Sequence, residues 1–233
     1  MEEKYSKILP LLLSSTATDP IEIQNSIMNE SFVSPNGPEH HFIDGGSFLA
    51  AIRNSGYSID LEECLSKLME RSMKMPGAMC GLWGVCGAAA SLGAALSIMN
   101  CTSPLSTDNG YKDNMELTSS IISRMSSIGG ARCCKRNAYI SLQIATGFVR
   151  EKYGIEINID KPIVCSYSQN NRDCIGNRCP YHKKKNICSV KNRTKKIRHL
   201  PTLPQTNCST IGARAFYFRV RDGNGYFHST MDT

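Results

Sequence analysis

The chain has 233 residues, 41% hydrophobic and 20% charged, a balance that excludes wholesale disorder and supplies enough apolar side chains for a core. Its formal charge of +7 is unevenly spread: residues 1–182 hold 16 Lys and Arg against 18 Asp and Glu, whereas residues 183–233 hold 11 against 2. The positive balance therefore belongs to the tail, and a uniformly basic nucleic-acid-binding body is excluded.

Residues 1–29 are weakly patterned and predict an N-terminal segment with one short helix and a loop. The opening MEEKYSKILPLLLSS starts acidic, and its apolar run from Ile8 to Leu13 is interrupted by Pro10. That run is too short and wrongly flanked for a signal peptide, so a cytoplasmic protein is expected. SPNGPEHHFIDGG (34–46) carries enough Pro and Gly to predict a loop. A helix follows over 46–55, with Phe48, Leu49 and Ile52 on one stripe. Asp60 is the expected N-cap of LEECLSKLMERSMK, and Glu63 completes a capping box.

Residues 75–107 contain no charged side chain. Ala78 to Met99 is apolar enough to raise a membrane span, but Gly, Ala and Ser dominate it, which favours a buried helix that other backbones approach closely. Helices are predicted over Met115–Ile128 and, after Gly129-Gly130, over Arg132–Tyr153. IEINIDKPIVC alternates like a short strand or an extended connection. Residues 183–233 read as a basic linker followed by AFYFRVRDGNGYFHS, whose DGNG between aromatic runs predicts a β-hairpin. The fold class is thus mainly α: a helical cysteine-rich domain over 30–182, around a Gly/Ala-rich buried helix, with a C-terminal extension.

Eleven cysteines are the second unusual number. In a cytoplasmic chain such density points to metal, cluster or redox chemistry rather than to disulfides. Cys80 and Cys86 form the first group; if a helix starts near Gly81, Cys80 lies at its N-terminus and Cys86 about a turn and a half above. Packing within a Gly/Ala helix is the plain alternative. The second group is GGARCCKR (129–136). Here Gly130 leads into a helix whose first turn holds Cys133 and Cys134 among Arg132, Lys135 and Arg136. Cations and a helix N-terminus lower a thiol pKa, so reactive thiolates beside a cofactor are expected, one of them facing a ligand and the other the core or a resolving role.

The third group, Cys165-x8-Cys174-x4-Cys179-Pro-Tyr-His182, has the density of a metal site. It matches neither a zinc ribbon nor a ferredoxin run in full. His40-His41 are further metal-ligand or proton-shuttle candidates, with a locally bonded surface loop as the alternative. Cys64, Cys101, Cys188 and Cys208 stand outside these groups. No P-loop, dinucleotide fingerprint, H-E-x-x-H or G-x-S-x-G motif is present, so whether the chain is an enzyme is left open.

Taken in order, GPEHHFIDGGSFLAAIRNSGY, MPGAMCGLWGVCGAAASLG, GGARCCKRNAYISL and CSYSQNNRDCIGNRCPYH resemble a cysteine-rich family of unknown function found mainly in anaerobic bacteria and archaea. The resemblance spans roughly residues 30–182. It implies that Cys80, Cys86, Cys133, Cys134, Cys165, Cys174 and Cys179, with His40 and His41, occupy the family's motif positions, but it brings no established activity. Around CGAAASLGAAL the chain is also similar, more faintly, to the helical C-GCAxxG-C-C redox proteins.

The leading expectation is an iron–sulfur protein with a four-iron four-sulfur cluster and a redox or sulfur-donor protein partner, its cysteine groups converging on one site. The alternative is a zinc-stapled module using Cys165, Cys174, Cys179 and His182. Nucleic-acid contact through 183–199 is a third, less favoured expectation, and no membrane partner is expected.

Overall fold

The computed structural model describes residues 1–183. Eight α-helices carry them: α1 (Glu2–Ser14), α2 (Pro20–Met28), α3 (His40–Asn54), α4 (Leu61–Met73), α5 (Met79–Leu82), α6 (Gly87–Met99), α7 (Asn109–Ile128) and α8 (Cys134–Tyr153). No strand occurs among the described residues, so the domain is mainly α. The hairpin expected near 216–228, the basic stretch 184–199, Cys188 and Cys208 lie outside the described residues.

The helix boundaries follow local chemistry. Asp19, Asp60 and Asp108 cap α2, α4 and α7 by accepting backbone N–H groups, at 2.9 Å from Glu63 in the case of Asp60. The capping box at α4 is only half closed, because the Glu63 carboxylate turns to Lys67 at 2.7 Å. Cys133 caps α8, its Sγ accepting the Arg136 N–H at 3.4 Å, and Gly154 ends that helix in the left-handed conformation (φ 64°).

Three sequence expectations are corrected. Residues 1–29 form two helices rather than one. Tyr5, Ile8 and Leu12 recur at helical spacing and are fully buried, and that stripe carries α1 through Pro10. The region 34–46 is loop only as far as Glu39, and α3 contains both histidines and the Gly45-Gly46 pair. Those glycines serve close packing: a Cβ on Gly45 would stand 2.6 Å from Ser91 Oγ, and one on Gly46 2.5 Å from Leu12 Cδ1. The run Ala78–Met99 is not one helix. Ala78 (φ 64°) and Gly84 (φ 71°) take left-handed conformations, isolating the single turn of α5 from α6. Residues 155–163 form neither helix nor strand, with Ile155 and Ile157 buried and the Asp160 N–H held by Asp19 at 3.1 Å.

The core forms around α3 and the Gly/Ala-rich α6. Thirteen of the 15 residues of α3 and ten of the 13 of α6 are buried. Where they meet, the Ser91 hydroxyl accepts the Gly45 N–H at 2.9 Å and donates to the His41 carbonyl, so a side chain of α6 is built into the backbone bonding of α3. α1, α2 and α4 pack against α3, and α7 and α8 against α6. No described helix is long and apolar enough to cross a membrane.

Candidate functional site

The N-terminus of α8 and the loop 165–182 enclose a narrow recess of about 20 Å³ lined by Cys133, Cys165, Cys174, Cys179 and His182, with Arg136 beside them. The loop is held by backbone and by two tyrosines. Cys165 N–H donates to the Tyr181 carbonyl at 2.7 Å, closing a parallel bridge with His182. The Tyr181 ring lies edge-on against Tyr139, 5.3 Å between centroids, and its hydroxyl donates to Gln143. Tyr167 donates to Asn29 at 2.9 Å and lies under the Lys135 ammonium, 4.9 Å from the ring centroid.

Two of the four thiols in this recess accept a backbone N–H from two or three residues further on, and backbone amides lie near the other two. Arg136 donates to Cys133 at 3.4 Å and Gly176 to Cys174 at 3.4 Å; the Tyr167 and Tyr181 amides favour the thiolates of Cys165 and Cys179. Asn171 Nδ2 adds a second donor to Cys133 at 3.5 Å. Gly176 reaches its thiol because it adopts φ 57° between Cys174 and Cys179. Burial pushes Cys165 and Cys179 up from the ordinary thiol range, while these amides, and Arg136 at Cys179, pull the other way. His182 Nδ1 is buried without a hydrogen-bond partner. Four soft sulfur donors and an unclaimed imidazole nitrogen suit a thiolate-bound metal or cluster. As placed, no three His, Cys, Asp or Glu side chains among the described residues stand close enough to hold a metal ion. Loading one therefore requires the loop to adjust.

A second recess, of about 320 Å³, lies on the other side of Cys133, which lines both. It takes in His40, His41, Asp44, Cys80, Cys86 and Cys134. The expected single convergence is thus corrected to two adjoining recesses that share Cys133, with Cys134 lining only the second. Cys80 sits in α5 and Cys86 caps α6, not on one shared helix. Cys86 Sγ accepts from Asn137 Nδ2 at 3.2 Å. Arg132 is exposed at the edge of this recess. Gly130, expected near a cofactor, instead makes room for the cysteine loop. At φ 83°, its Cβ would lie 2.8 Å from Ile175 Cγ2.

The expected activation of Cys134 by flanking cations is overturned. Burial pushes its thiol up to about 12, the Gly37 N–H opposing only in part. Lys135 is 3% exposed and turned toward Tyr167 and His40, and Arg136 donates to the Ala131 carbonyl at 2.8 Å. Nor are His40 and His41 a surface pair. Burial and Lys135 bring His40 down to about 4, and burial lowers His41. His40 Nε2 donates to the Ser34 carbonyl at 2.9 Å, leaving its buried Nδ1 without a partner.

Sequence reasoning missed the buried Asp44, whose carboxyl burial raises well above the usual range while Lys135 opposes. It also missed Asn137, Asn171 and the anchoring tyrosines. The one available signal was Asn137, a helical turn beyond Cys133.

No curated protein and no solved structure matches this chain. The model of the Family of unknown function (DUF5714) matches residues 8–182, three quarters of the chain and all of both recesses. With the cysteine signatures distributed over that span, the chain belongs to this family, DUF5714.

Proposed function

We propose that the protein is a cytoplasmic iron–sulfur protein whose cluster is held by Cys133, Cys165, Cys174 and Cys179, and that it works in redox or sulfur-transfer chemistry with a protein partner. The observation that carries this reading is the set of four thiols around one recess, two of them, Cys133 and Cys174, already accepting a backbone N–H. Amide donors to sulfur offset the negative charge of a thiolate bound to metal and raise the reduction potential of a cluster. When bound, such a group supplies one-electron transfer. The chain's own contribution is to supply donors from two segments, to hold them against α8 through Tyr167 and Tyr181, and to shield them with the loop. Four cysteines complete the coordination of a four-iron cluster, which favours electron transfer over chemistry at an open iron.

The second reading is a zinc staple, favoured specifically by the unpartnered Nδ1 of His182 beside Cys165, Cys174 and Cys179. Anaerobic purification with quantification of iron, sulfide and zinc separates the two. The expected result is a coloured protein with matched iron and sulfide, in which Cys174→Ser or Cys133→Ser removes most of the iron. A colourless protein with one tightly held zinc overturns the cluster reading and installs the staple.

A further inference from the structure

Cys80 and Cys86 are two of the thiols that the four-cysteine recess leaves unused, and they line two cavities together, the second recess and a groove against α7. Both are free and half-buried. Five residues separate them, and four of the five, residues 81–84, are exposed. A Cβ on Gly81 or Gly84 would meet no atom within 4 Å, and the tip residues Leu82 and Trp83 are 77% and 65% exposed. A solvent-facing connection of this length can be closed by a disulfide with little surrounding packing to disturb.

The two thiols are also unequal. Cys80 stands on the single turn α5, whereas Cys86 is fixed as the N-cap of α6 with its sulfur bonded by Asn137. Burial raises the Cys86 thiol, while the Asn137 side chain and the Ala88 N–H favour its thiolate. Such an inequality suits an attacking thiol and a resolving thiol.

We propose that Cys80 and Cys86 form a redox-active dithiol that reduces exposed disulfides. Cys80 Sγ, as thiolate, attacks one sulfur of the substrate disulfide; the substrate S–S bond breaks, a Cys80–substrate disulfide forms, and the first substrate sulfur leaves as a thiolate that takes up the proton given up by Cys80. Cys86 Sγ then attacks the Cys80 sulfur. A Cys80–Cys86 bond forms, and the second substrate sulfur leaves and is protonated by the proton from Cys86. The dithiol gives up two electrons and two protons, and the substrate disulfide gains both. This chemistry is independent of the cluster reading, because it uses none of the four proposed ligands.

The full chain, prepared anaerobically, is exposed to oxidised glutathione, alkylated and mapped by mass spectrometry. Cys80, Cys86 and Cys101 share the tryptic peptide 75–112, so an internal bridge is read as the loss of two hydrogens from that peptide, and fragmentation that places the remaining alkylated thiol on Cys101 identifies it as Cys80–Cys86. Trp83, the sole tryptophan, reports the accompanying loop change by fluorescence. The wild type should bridge Cys80 to Cys86. Cys86→Ser should stall with glutathione on Cys80, and Cys80→Ser should give neither product. Iron and sulfide content should be unchanged in both variants. A bridge from either residue to Cys101 or Cys134, no glutathione adduct in Cys86→Ser, or loss of iron in Cys80→Ser or Cys86→Ser overturns the dithiol. Loss of iron only on changing Cys133, Cys165, Cys174 or Cys179 leaves it standing, whatever the metal proves to be.

Discussion

His40 is held as a neutral imidazole by burial and by the Lys135 ammonium 3.3 Å from its Nε2, and its pKa falls from 6.5 to about 4. In the unfolded chain the same ring protonates near its ordinary value. Between those two values the unfolded state binds the extra proton, so stability is intact above about pH 6.5 and is lost as pH falls toward 4. The neighbouring His41 is lowered too and acts in the same direction, whereas Glu39, beside both, titrates in a lower window. Burial works against the Glu39 carboxylate, but hydrogen bonds from Lys4, its own N–H and Ser34 hold it down at about 2. Because the raised Asp44 carboxyl opposes this slope, the His40 contribution is read by comparison: on going from pH 6.5 to 4, chemical denaturation at stepped pH should show a larger loss in the wild type than in His40→Gln, a variant that retains a donor for Ser34. An equal decline in the variant would remove His40 as its source. At this scale the sequence was informative about which residues carry chemistry and poor at saying where they go. Density and spacing marked Cys165, Cys174 and Cys179. Their meeting with Cys133, and the separation of Cys134 from it, depend on the path of a loop anchored by tyrosines that carry no motif. Burial also reversed the electrostatics read from Arg132, Lys135 and Arg136, since adjacency in sequence does not reveal which cation is turned inward.

Among the elements, the α3–α6 crossing is the most exacting joint. Ser91 satisfies Gly45 N–H and the His41 carbonyl at once, and a Cβ on Gly45 would lie 2.9 Å from the Ser91 backbone oxygen, which cannot swing away. Gly45→Ala should therefore destabilise by about 1–3 kcal/mol despite alanine's better helix propensity, the cost of overpacking exceeding the propensity gain. Gly147→Ala on α8, where an added Cβ meets nothing within 4 Å, is the control and should be neutral or slightly stabilising. Thermal melts of the two variants check the pair, and equal melting points would show that the crossing is not tight. The long amphipathic elements were legible because their apolar stripes and caps agree, as in α4 and α8. α1 and the start of α3 were not. Proline and glycine are read locally as breakers, but here the burial of Tyr5, Ile8 and Leu12 sustains one helix, and the close approach of Leu12 and Ser91 requires the glycines of the other.

At the scale of the whole molecule, the near-neutral body and the strongly basic tail divide close to where the family match ends, at residue 182. The buried aromatic and aliphatic side chains from Tyr5 to Tyr181 form one continuous core. A fragment ending at Lys183 should keep the helical circular dichroism, melting point and metal content of the full chain, while any retention of nucleic acid should be lost and, in the full chain, should fall steeply with salt. A fragment that fails to fold would make the tail part of the structural unit. The anchoring of the cysteine loop has a further consequence, for the order of assembly. Tyr181 is fastened to Tyr139 and Gln143 by contacts that involve no metal, and the loop backbone is bridged at Cys165. On the iron–sulfur reading proposed above, the scaffold would therefore form before the cluster is inserted, and cells starved of iron would accumulate a folded, reloadable protein rather than a degraded one.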